Sequence, residues 1–141
     1  MNLRIAAIML CVALFAPAVA FAAGATMKEG LWEITSTMEM PGMPFQPPPS
    51  TYSHCYTRED LKDDAQVVPR QQGDCRVTDM KRAGARVTWK VVCTGDNKGT
   101  GTGEILFKGD SAYEGSMKFV MQEMSMTSHY TARRVGACPG H

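Results

Sequence analysis

Cys75-Arg76-Val77-Thr78-Asp79-Met80-Lys81-Arg82-Ala83-Gly84-Ala85-Arg86-Val87-Thr88-Trp89-Lys90-Val91-Val92-Cys93 reads as two strands folded back about a glycine. In the second half Val87, Trp89, Val91 and Cys93 share one face, and Arg86, Thr88 and Lys90 share the other. An apolar residue at every second position marks a half-buried strand. Ala83-Gly84-Ala85 is the expected turn, because Gly84 adopts positive φ without steric cost. A register centred on Gly84 sets Val77 opposite Val91 and Cys75 opposite Cys93. Inward residues then meet inward residues, as register requires.

The same period continues on both sides of this hairpin. Over Gly30 to Met40, Trp32, Ile34, Met38 and Met40 share a face, against Glu33, Thr35, Thr37 and Glu39. Pro41 ends that strand, and five prolines within residues 41–49 make a proline-rich loop rather than sheet. Thr57-Arg58-Glu59-Asp60-Leu61 begins with an N-cap and early acids, so one short helix is expected there. Residues 62–74 read as loop. Downstream, Gly99-Thr100-Gly101-Thr102-Gly103 leads into a strand over 104–108 with Ile105 and Phe107 inward. After the Gly109-Asp110-Ser111 turn, Tyr113, Met117, Phe119 and Met121 share one face. Met124, Met126, Tyr130 and Ala132 do so on the last strand, 124–134. The expectation is an all-β domain, an antiparallel meander of about six strands curled into a partly open barrel. No strand–helix alternation points to a parallel α/β fold.

The chain has 141 residues, which suits one domain. Its 15 Lys+Arg nearly cancel its 14 Asp+Glu, so no basic excess exists to displace counterions from nucleic-acid phosphates. Arg4, the apolar run Ile5 to Phe15 and the small residues Ala18, Ala20 and Ala22 read as a secretory signal peptide. With Ala20-Phe21-Ala22 as the cleavage triplet, residues 1–22 are removed and 23–141 form a single disulfide-linked β domain in the periplasm. The apolar run is too short to span a bilayer comfortably, so the mature protein is expected not to be membrane-spanning. Cys11 leaves with the signal peptide. Cys55, Cys75, Cys93 and Cys138 remain, an even number that implies two disulfides in an exported domain. No Cys-x-x-Cys pair suggests zinc. Strand ends alternate in a meander, which favours Cys75–Cys93 and Cys55–Cys138 because disulfide reach is short.

Several of these stretches together resemble a bacterial family of small exported proteins catalogued as domain-of-unknown-function family 3617. They are Gly30-Leu31-Trp32-Glu33, Met38-Glu39-Met40-Pro41-Gly42-Met43-Pro44-Phe45, Cys55, Cys75, Trp89-x-x-x-Cys93, Gly99-Thr100-Gly101 and Arg133-Arg134-Val135-Gly136-x-Cys138. The resemblance implies an exported, periplasmic domain and implies no activity, cofactor or catalytic residue. The Gly30-x-Trp32 opening and the late arginine are also similar to small lipocalin-type barrels, in which a Trp packs against an Arg across the barrel end.

Of the eleven methionines, Met38, Met40 and Met43 form one cluster and Met121, Met124 and Met126 a second. Thioether sulfur selects Cu(I) and needs no deprotonation, so these six residues are candidate soft-metal ligands. Packing competes with that reading and is favoured by the strand pattern, since Met fills irregular apolar space. A third reading is an interior lined by Trp32, Trp89, Tyr113 and Phe119 that holds a small apolar ligand. Met43-Pro44-Phe45 in the proline-rich loop could meet an envelope partner, although a loop folded over the end of the sheet is the plainer expectation. His54, His129 and His141 stand in no nucleophile–base arrangement, and no Gly-x-Ser-x-Gly occurs. Glu59, Asp60, Asp63 and Asp64 fit no EF-hand spacing, and Gly99 to Gly103 is followed by no Lys-Ser/Thr. The sequence therefore favours a non-enzymatic binding domain without a cofactor, with Cu(I) as the alternative. Its partner would be a small apolar ligand or an envelope protein, and not nucleic acid.

Overall fold

The computed structural model describes residues 27–69 and 73–140. The expected signal peptide, residues 1–22, lies outside them. Seven strands form one antiparallel sheet: β1 (Gly30–Glu39), β2 (Ser50–Tyr56), β3 (Cys75–Ala83), β4 (Arg86–Cys93), β5 (Gly99–Phe107), β6 (Ala112–Met121) and β7 (Met124–Gly136). Their order across the sheet is β2-β1-β7-β6-β5-β4-β3, so β2 and β3 are edges and the sheet is not closed. It is strongly curled. The hydroxyls of Tyr56 on β2 and Tyr113 on β6, which flank β1 and β7, lie 3.4 Å apart.

The count is seven strands rather than six because β2 follows directly on the prolines. Its Tyr52, His54 and Tyr56 alternate with Ser and Cys, a period of two over one short run. The glycine run is also strand: β5 starts at Gly99, not at 104. The short helix expected at Thr57 to Leu61 is a 3-10 turn at Asp60–Lys62, followed by a single α-helical turn, α1 (Asp64–Val67). The Thr57 hydroxyl donates to the Asp60 carboxylate at 2.7 Å, and the Asp63 side chain caps α1 by accepting from the Ala65 N–H at 2.9 Å. The proline-rich loop does not cover the sheet. Met43 is 50% and Phe45 69% exposed, and the loop closes on itself through Gln46, whose side chain bonds both Met40 backbone groups.

The β3–β4 pairing sets Cys75 against Cys93 and Val77 against Val91, the register expected from Gly84. It gets there by a different route. The turn is only Gly84-Ala85, with Gly84 at φ +59°. A bulge between Thr78 and Lys81, with Asp79 at φ +50°, restores the offset beyond it.

Residues on the inner face form the core, with Trp32, Val87, Trp89, Val91 and Ile105 almost fully buried. Gly99, Gly101 and Gly103 of β5 also face inward, beneath larger neighbours. A Cβ on Gly103 would overlap the Trp89 ring, and one on Gly101 would come within 2.9 Å of Phe119. Across the gap between β2 and β3 runs the 60–68 segment. Val67 and Val68 enter the core, and Arg82 of β3 donates from Nε to both Asp64 carboxylate oxygens, at 2.9 and 3.2 Å. Arg133–Glu33 pairs across β7 and β1 at 2.7 Å and Lys108–Glu114 across the β5–β6 turn at 2.9 Å, exposed contacts that contribute little.

Cys55 is joined to Cys138, with Cα atoms 5.6 Å apart, and Cys75 to Cys93, 4.0 Å apart. The first link closes 83 residues of sequence and the second 18. By loop-closure entropy the longer link contributes about 4.5 kcal/mol and the shorter about 3 kcal/mol. The Cys55→Ser/Cys138→Ser variant should therefore lose more stability in urea denaturation than Cys75→Ser/Cys93→Ser. Equal losses, or the reverse order, would show that the longer link does not restrain the unfolded chain as this arithmetic requires.

Candidate functional site

A pocket of about 210 Å³ opens at the seam of the curled sheet, between the β2 edge and the α1 segment. All four tyrosines of the chain line it: Tyr52 and Tyr56 from β2, Tyr113 from β6 and Tyr130 from β7. Ile34, Ile105, Val67 and Val68 supply aliphatic wall, and His54 stands at the rim. The convergence follows from register. Tyr52 pairs with Ile34, Ile34 with Ala132, and Ala132 with Tyr113, which puts these side chains on one inner layer. Tyr130 and Ile105 flank Gly115 in the next layer, and a Cβ at that glycine would come within 3.0 Å of the Ile105 side chain.

The floor is aromatic. Trp32, with 0% exposure, stacks on Tyr113 at 5.7 Å between ring centroids and meets Tyr56 edge-on at 6.1 Å. Its indole N–H donates to the Lys28 carbonyl at 3.0 Å. His54 packs against Tyr56 at 4.4 Å. Trp32 also pairs directly with Arg134 across β1 and β7, and Arg134 Nε donates to the Glu29 carbonyl at 2.7 Å. One end of the domain is thereby closed by a Trp–Arg neighbourhood.

Burial disfavours the phenolate form of the tyrosines. It raises the Tyr113 and Tyr56 hydroxyls above their ordinary range, and the facing phenol adds to the effect at Tyr113. Tyr52 is raised by burial and by Tyr130. The pocket is thus neutral, apolar on its walls and furnished with hydroxyls that donate and accept.

The four residues proposed from sequence as an apolar lining are divided. Tyr113 lines the pocket and Trp32 lies behind it, whereas Trp89 and Phe119 pack over the β5 glycines elsewhere on the inner face. Trp89 is 1% exposed, and its indole N–H has no hydrogen-bond partner among the described residues. The sequence reading omitted Tyr52, Tyr56 and Tyr130 as lining, together with Val67 and Val68. The alternation of Tyr52, His54 and Tyr56 was the available signal.

The candidate metal ligands sort differently. Met121 lies directly opposite Met124, and Met126 opposite Phe119, with Met38 diagonal to Met126 through its pair with Ser128. Met40 follows the end of β1, and Met43 sits in the exposed loop away from this register. Among the described residues no group of three or more His, Cys, Asp or Glu is placed to hold a metal ion, and no helix is long and apolar enough to cross a membrane.

These features define an open, disulfide-linked antiparallel β domain with an aromatic pocket at its seam. The chain belongs to the DUF3617 family, a protein family of unknown function, whose sequence profile matches residues 27–138. That range runs from just before β1 to the last disulfide cysteine. Nothing among curated proteins, and nothing among solved structures, matches the chain.

Because the folded protein holds Tyr113 and Tyr56 protonated more tightly than the unfolded chain does, their contribution is complete below about pH 10. It is lost as pH rises above that value, where the unfolded chain releases these protons and the folded protein retains them. Tyr113→Phe should flatten the alkaline fall in melting temperature while leaving the neutral-pH value nearly unchanged. An alkaline profile identical to that of the unsubstituted protein would reject this role.

Proposed function

We propose that this is an exported, non-enzymatic binding domain whose seam pocket takes a small, largely apolar molecule bearing a hydrogen-bonding group. The observation that carries this reading is the gathering of all four tyrosines around one pocket of about 210 Å³. That volume lies below the range for drug-sized ligands, which restricts the occupant to a single ring or a short chain. Two disulfides are compatible with an oxidising compartment and support export. Aliphatic walls supply burial, and neutral phenols supply orientation without a charge. No step of bond making or breaking is assigned to these residues.

4-Methylphenol, one ring with one hydroxyl, is a suitable probe for titration followed by NMR. Saturable shifts confined to Tyr52, Tyr130, Val68 and their neighbours are expected. Val68→Trp fills the pocket and should abolish them while the remaining spectrum stays folded. No saturable shift with either 4-methylphenol or octanoate would overturn the reading.

A second reading concerns the proline-rich loop, because it holds Phe45 at 69% exposure at the tip of the β1–β2 connection. Such a tip suits contact with another envelope protein. Deletion of residues 44–49 should leave the melting temperature close to that of the intact protein but lose a partner captured by crosslinking in periplasmic extract. Capture of the same partner by the deletion variant would remove the loop from consideration.

A further inference from the structure

We propose that Met121, Met124 and Met126, joined by Met38, form a thioether site for Cu(I) on the inner face beside the β6–β7 turn. The proposal is independent of the tyrosine pocket, since Met126 lies four residues along β7 from Tyr130, roughly 13 Å at strand rise. Three observations carry it.

The first is placement. Only two residues, Gln122 and Glu123, separate β6 from β7, with Gln122 at φ +51°. This tight turn sets Met121 directly opposite Met124. Met126 shares their face two residues on, and Met38 approaches it diagonally from β1. Directly opposed Cβ atoms lie about 5 Å apart and diagonal ones about 7–8 Å. The unbranched methionine side chain carries sulfur two bonds beyond Cβ and rotates freely. Three sulfurs can therefore turn to one point.

The second is exposure. Met27 and Met117 belong to the buried core, as packing methionines do. Met124 is 55% exposed, and Met38, Met121 and Met126 are only partly buried. Core filling does not account for apolar side chains that remain at the surface on the inward side of a sheet.

The third is the chemistry of what surrounds them. Cys75, Cys93, Cys55 and Cys138 are held in disulfides, so no thiolate among them competes as ligand. With no His, Cys, Asp or Glu group of metal-binding size among the described residues, hard divalent cations find no comparable site. Thioethers are neutral, so Cu(I) would bind through sulfur lone pairs with no proton released, and affinity would not depend on ligand deprotonation.

The test is anaerobic competition of the mature protein with bicinchoninate for Cu(I). The unsubstituted protein and Met43→Leu are expected to withdraw one Cu(I) per chain, and Met121→Leu/Met124→Leu/Met126→Leu to lose this capacity with unchanged circular dichroism. No withdrawal by the unsubstituted protein overturns the proposal, as does full retention by the triple variant. Should the triple variant fail to fold, Ag(I) titration of the unsubstituted protein decides through its methionine methyl resonances. Shifts at Met121, Met124 and Met126 support the site, and shifts confined to other methionines reject it.

Discussion

The shape of the domain depends on the absence of side chains at three inward positions of β5. Gly99, Gly101 and Gly103 leave room that Trp89 and Phe119 occupy from the neighbouring strands. A methyl group at any of them would meet a ring or a backbone oxygen closer than van der Waals contact allows. With that room filled from the flanks, β4 and β6 fold over β5 and the sheet curls until β2 faces β6. Tight curl is what brings phenols from β2, β6 and β7 to one pocket. The glycines do not touch that pocket, yet it exists because of them.

The same curl divides the inner face. Toward one end lie the stacked rings of Trp32 and Tyr113, closed off by Arg134. Between the ends Trp89 and Met117 fill the middle above Gly103. Toward the other end the lining becomes sulfur and opens to solvent. The aromatic end has rigid rings, neutral hydroxyls and a lid, the 60–68 segment tied to β3 by Arg82 and Asp64. The methionine end has flexible side chains that are partly exposed, Met124 most of all. Rigid, enclosed surfaces discriminate by shape, and soft, adaptable ones discriminate by donor chemistry.

Much of this was legible because the β strands announce themselves by period. Alternation placed Trp32, Trp89, Tyr113 and the later methionines on one face, and register then put them together. The hairpin at Gly84 shows how a correct pairing can arise from a wrong turn. A three-residue turn and a two-residue turn followed by a bulge give the same offset at Cys75 and Val77, and only backbone geometry at Asp79 tells them apart. β2 was obscured by the prolines immediately before it and by its polar alternates, Ser53 and Cys55. The glycine run hid its strand character for a physical reason. Glycine has poor strand propensity alone, and its value here lies in what stacks above it, which no local pattern displays. The tyrosine pocket was missed for the same reason as β2, since it cannot be assembled without that strand.

One pairing has a consequence in time. β1 lies between β2 and β7, so the first strand of the domain completes its hydrogen bonding only with the last. The chain emerges from the ribosome N-terminus first. Until residues 124–138 are free, β1 has only β2 beside it and Cys55 has no Cys138. Contacts of such long sequence separation form late and slowly. The sheet therefore stays incomplete for as long as its C-terminal strand is withheld, and the arrival of that strand joins β1 to β6 and brings Cys138 to Cys55.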